Sequence, residues 1–189
     1  FRLVTHQGDV GHMMVGGPTG AGKSVLLSLL ALQFRRYEQA QVFTFDKGAS
    51  ARCATLALGG TWYDLGIDGD LAFQPLRDVD SETGLASALA WVLGLIEQEA
   101  VTVTPEVEQA VWTALQSLGA APVAQRTLTG LVALIQMPDL RQALEPYTLA
   151  GHYGALLDAD EANLETGDTL CFEMDALMQD QRVAPPVLA

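Results

Sequence analysis

Gly17-Pro18-Thr19-Gly20-Ala21-Gly22-Lys23-Ser24 fits the spacing G-x-x-x-x-G-K-[ST]. The spacing has a physical reason. A loop that wraps phosphates with its own N–H groups must approach them closely, and glycine-rich chain does this without steric conflict. The helix that opens at the lysine adds the positive end of its dipole. The lysine reaches the β- and γ-phosphates, and the following hydroxyl binds Mg²⁺. The candidate site is therefore Gly17, Pro18, Thr19, Gly20, Ala21, Gly22, Lys23, Ser24 and Val25. Its expected ligands are ATP and Mg²⁺, with Lys23 as the catalytic cation and Ser24 as the metal ligand. The loop does not encode a choice between ATP and GTP. The competing reading is a glycine-rich turn that binds nothing.

The flanks of this loop extend the pattern. Gly11-His12-Met13-Met14-Val15-Gly16 is a short apolar run stopped by glycine, which predicts a buried strand. From Ser24 to Tyr37 the chain carries Val25, Leu26, Leu27, Leu29, Leu30, Leu32 and Phe34, then Arg35-Arg36. This predicts a helix, apolar over most of its surface, with basic residues at its negative end. Ala40-Gln41-Val42-Phe43-Thr44-Phe45-Asp46 reads as a second strand. Strand, loop, helix, strand is a βαβ unit, so the expected sheet is parallel.

Helical signals follow. Ser81-Glu82-Thr83 opens a helix expected to run through Ile96. Thr104-Pro105-Glu106 opens another, with Thr as N-cap and Pro in the first helical position. Leu128–Gln136 and Asp139–Leu144 give two shorter helices, and Thr169-Leu170-Cys171-Phe172-Glu173-Met174 reads as a strand returning to the sheet. Phe73-Gln74-Pro75-Leu76 reads as a strand end and turn. The fold class is α/β, with a parallel-sheet core and an all-helical insertion. The expected division is 1–80 for the first stretch of the core, 81–165 for the insertion and 166–189 for the return to the core.

A hydrolytic site needs acidic residues near the metal and the attacking water. Asp46 ends a strand, where open α/β sheets bind ligands, but Lys47-Gly48-Ala49-Ser50 follows and a turn-capping role is equally consistent. Glu173 with Asp175 is the other candidate, set against a solvated strand end that caps the helix from Ala176. Neither forms a four-hydrophobic-then-acidic motif. Arg126 and Arg141 are arginine-finger candidates, with solvated surface residues as the alternative. Trp62, Trp91 and Trp112 read as packing aromatics, and His6, His12 and His152 are too scattered for a metal site.

Composition narrows the field. Ten Lys+Arg against 23 Asp+Glu give a net charge of −13. Such a chain offers little to neutralise phosphate backbones, so no direct nucleic-acid binding is expected. Hydrophobic residues at 49% exclude a disordered chain. The apolar stretch Leu85–Ile96 is too short to span a bilayer, and the start lacks the order of a signal peptide. Cys53 and Cys171 suggest neither a disulfide framework nor a metal cluster, so a reducing compartment is the default. The start at Phe1 and the end in Pro185-Pro186-Val187-Leu188-Ala189 suggest a fragment.

Taken together, the loop and its helix, Gln41-Val42-Phe43-Thr44-Phe45-Asp46-Lys47-Gly48 and Phe73-Gln74-Pro75-Leu76 resemble the TrbE / VirB-four-type conjugal transfer ATPases of bacterial type IV secretion. Arg126-Thr127-Leu128-Thr129, Leu140-Arg141-Gln142-Ala143-Leu144 and Phe172-Glu173-Met174 extend the resemblance over nearly the whole chain. The resemblance implies a P-loop NTPase of the RecA-like, HerA/FtsK-type, here a portion of a motor domain. It implies ATP hydrolysis that powers pilus assembly and the transfer of DNA or protein. It implies self-association, as a hexamer or a dimeric unit, and partnership with other secretion components. The location would be cytoplasmic and peripheral at the inner membrane through those partners. The acidic pair of the family's second nucleotide motif would follow the segment near Val187, with Glu173 upstream of it. Three alternatives stay open: a HerA/FtsK-type DNA translocase, a small nucleotide kinase, and a non-catalytic nucleotide-dependent assembly module.

Overall fold

The computed structural model describes residues 11–66, 71–165, 167–180 and 182–188. Three short strands form its sheet: β1 (Val42–Asp46), β2 (Thr61–Asp64) and β3 (Thr169–Glu173). Their order is β1-β3-β2, and both pairings are parallel. β3, the middle strand, is buried at every position, as expected where a parallel strand is covered on both faces. On one face Phe45, Phe172 and Tyr63 lie in register and stack, with ring centroids 5.4 and 5.8 Å apart. Such cross-strand pairs are what stabilise a sheet.

The parallel sheet and two of its strands match the sequence expectation. β2 does not appear there, and neither does α2 (Arg52–Ala57), the helix that crosses from β1 to β2. Both are too short to show a period. The approach to β2 depends on Gly60, because a Cβ there would sit 2.5 Å from the Thr169 carbonyl oxygen.

One expected strand is absent. Residues 11–18 take no regular structure, so the strand read at Gly11–Gly16 is corrected. Met13 and Met14 are exposed rather than buried. The reason is that a strand needs a neighbour to take up its N–H and C=O groups, and none pairs with this segment among the described residues. Phe73-Gln74-Pro75-Leu76 forms the expected turn, which opens at Pro75, but no strand, although Phe73 exchanges backbone hydrogen bonds with Leu156 and Ala159.

The helices after Asp80 follow their caps. α3 (Glu82–Gln98) starts where the Ser81 hydroxyl accepts from the Gly84 N–H, and α4 (Pro105–Gly119) where Thr104 accepts from Val107. α5 (Leu128–Leu134) is capped by Thr127, and α6 (Pro138–Leu144) opens on a proline. α7 (Gly154–Leu157), α8 (Asp175–Gln179) and α9 (Ala184–Leu188) are short. Val92, Leu95, Ile96, Val111, Leu115 and Leu118 pack with Leu128, Leu131, Leu140 and Leu144. That core continues without a break into Leu170, Phe172, Leu177 and Val183. The helices after Asp80 therefore share one core with the sheet.

Two buried charges hold this region together. Asp158 accepts from the Thr129 N–H and hydroxyl and from the Leu149 N–H, which caps the start of α5. Arg126 is buried, donates to the carbonyls of Ala121, Arg77 and Gly119, and pairs with Asp80 at 2.9 Å. The arginine-finger expectation for Arg126 is thus corrected: its guanidinium is spent inside the chain, stitching the end of α4 to the turn before α3. Arg141 remains exposed on α6.

α1 (Lys23–Phe34) is the opposite case. It carries no buried residue. Its end is tied to the rest by Arg35, which donates to the Leu58 carbonyl.

Candidate functional site

The glycine loop has the local geometry that its sequence demands. Gly20 and Gly22 adopt φ of 82° and 81°, values that a side chain would strain. Gly22 is the N-cap of α1, and its carbonyl accepts the first helical bond, from Leu26, at 2.9 Å. The Ala21 N–H closes a turn onto the Pro18 carbonyl at 3.2 Å. Gly17 differs from the other two: a Cβ there would make only ordinary contact, 3.6 Å from the Ala21 Cβ. Sterics in this state do not require that glycine.

Lys23 sits at the first position of α1 and folds back over the loop. Its Nζ donates to the carbonyls of Gly17 and Pro18, each at 2.8 Å. An ammonium has three donors and no acceptor, so the two carbonyls hold it at the loop without neutralising it. No acidic side chain lies in the first turn of α1. The loop therefore gathers a lysine, glycine-rich backbone and a helix N-terminus, an arrangement that suits an anion. Pro18, Thr19, Ala21, Ser24 and Val25 are exposed around it. The Ser24 hydroxyl stands on the outer first turn of α1 and is a single oxygen donor. Mg²⁺ takes six oxygens, mostly water and phosphate in such sites, so one protein hydroxyl fits it. Among the described residues no group of three His, Cys, Asp or Glu is placed to hold a metal ion.

The acids line up at the C-terminal edge of the sheet. Asp46 and Asp64 both lie opposite Glu173 in the strand register. Asp46 serves its own turn: its carboxylate accepts from the Ser50 hydroxyl and the Ala51 N–H, each at 2.7 Å. Partial burial pushes its pKa up, but these bonds, with the Lys47 and Ser50 N–H groups, outweigh that and hold it below the usual range. The turn reading of Asp46 is the one its partners express.

Glu173 is 5% exposed, so the solvated strand end is corrected. Its carboxylate accepts from the N–H groups of Gly48, Ala49 and Asp175. The last of these lies at the start of α8, so the capping role holds. The first two pin a loop in which Gly48 and Ala49 adopt φ of 90° and 55°. Part of the signal was available: Gly48 follows one strand end, and Glu173 ends another. What sequence could not show was that the two strands are adjacent. Lys47 approaches Asp175 only to 3.8 Å across exposed side chains, a contact worth little.

The remaining candidates stay apart. Trp62 lies under the Arg52 guanidinium at 4.5 Å, and Trp91 donates to the Pro186 carbonyl, so both act in packing. His12 and His152 are exposed, and His6 lies outside the described residues. Cys53 and Cys171 are free thiols.

No protein-family model matches the chain. It is 42% identical over 194 residues to a probable conjugal transfer protein TrbE of Sinorhizobium fredii, covering all of this chain and 29% of that protein. It is equally identical over 196 residues to "Conjugal transfer protein TrbE" of Rhizobium radiobacter, covering 24% of it. A "Type IV secretion system protein virB4" of Bartonella henselae is 28% identical over 97% of the chain. Among solved structures, VirB4 of Thermoanaerobacter pseudethanolicus superposes with a TM-score of 0.60 at 18% identity, over 90% of this chain and 52% of that one. That likeness shows a shared α/β fold. The chain spans about a quarter of the length of the curated relatives it matches.

Proposed function

Because the chain belongs with the TrbE/VirB4-type conjugal transfer proteins along its whole length, we propose that it is the nucleotide-binding portion of a transfer ATPase. The observation that carries this reading is Lys23, held at the mouth of a glycine loop at the N-terminus of α1. The N–H groups of Thr19–Ser24 would receive the β- and γ-phosphates of ATP, within the loop Gly17–Ser24. Lys23 would exchange the Gly17 and Pro18 carbonyls for phosphate oxygens and stabilise charge on the transferred phosphoryl group. Mg²⁺, with Ser24 as its protein ligand, would neutralise phosphate charge. In the longer protein ATP hydrolysis would drive pilus assembly and substrate transfer. Its partners would be further copies of itself, forming a hexamer, and other secretion components at the cytoplasmic face of the inner membrane.

Lys23→Ala is the test. Titrating Mg-ATP and AMP against both proteins by calorimetry separates phosphate recognition from base recognition. The substitution should weaken ATP by at least about tenfold, or 1.4 kcal/mol, and leave AMP unchanged. Equal ATP affinity in the two proteins overturns the assignment. A DNA translocase is the second reading, through the fold shared with VirB4. The net charge of −13 disfavours it, and DNA-stimulated phosphate release would favour it.

A further inference from the structure

We draw no further inference here: the strongest candidate, the open, mostly apolar cleft between α5, α6 and the segment Thr148–Ala150, with Arg141 and Leu149 in its lining, carries nothing because nothing in the structure shows what covers it.

Discussion

α1 and α3 are both long apolar helices, and they end in opposite states. α3 buries Ala88, Val92, Leu95 and Ile96 against α4, α6 and α9, while α1 buries nothing. Composition does not separate them. What separates them is whether other elements close on them. α4 follows α3 within a few residues, and α6 and α9 return to it from much further along the chain. α1 is tied to the described chain by the Arg35 hydrogen bond to the Leu58 carbonyl, and nothing among the described residues buries its side chains. A hydrophobic pattern thus states a demand for burial, and only the rest of the chain decides whether the demand is met.

The largest expected effect sharpens this contrast directly. Leu115→Ala removes a side chain with no exposure from the middle of the helical core. It should cost about 2–5 kcal/mol by urea unfolding, as large-to-small core changes do. Leu29→Ala on α1, at 51% exposure, should cost less than about 0.5 kcal/mol in the same 189-residue chain. Equal costs would mean that α1 is packed after all, and the comparison between the helices would fail.

Arg126 gives a smaller effect of the same kind. Arg126→Met keeps the length of the side chain and deletes its donors to Ala121, Arg77 and Gly119. Three carbonyls then lose a charged donor at once, and the loss should reach about 2–3 kcal/mol. Arg126→Lys should recover only a fraction of it, because an ammonium cannot match the planar fork. A fully stable Arg126→Met protein would show that the end of α4 is held by packing alone.

The same contrast explains what could be read without coordinates. Ser81, Thr104-Pro105 and Thr127 each announce a helix start through a bond made within three residues, and each start is where the sequence places it. The glycine loop was equally legible, since Gly20 and Gly22 need their positive φ for local reasons. Of Glu173 only the cap on α8 was legible, and the burial and inward pairing of Arg126 were not. The rest of their roles depends on partners 124 or 125 residues away for Glu173, and 49 residues away for the Arg77 carbonyl that receives Arg126. The expected strand at Gly11–Gly16 failed for the converse reason: its apolar residues are real, but nothing beside them completes the ladder among the described residues. Short-range chemistry is written in the sequence, whereas adjacency of strands is not.

Asp46 offers the smallest and most selective test of the sheet edge. Its hydrogen bonds from Ser50 and Ala51 hold its carboxyl below the ordinary carboxylate value. A depressed folded-state pKa means that the stabilisation is fully present above the unfolded value of 3.8 and is lost as pH falls through the folded one. Asp46→Asn should therefore lower the Tm modestly near pH 7 and flatten the loss of stability on going below about pH 4. Melting curves from pH 7 down to pH 3 on both proteins would show the difference closing as the acid limb is reached. A gap that stayed constant with pH would mean that the Asp46 carboxyl serves the turn equally well with or without its charge, and that the acid at the end of β1 contributes shape and not charge.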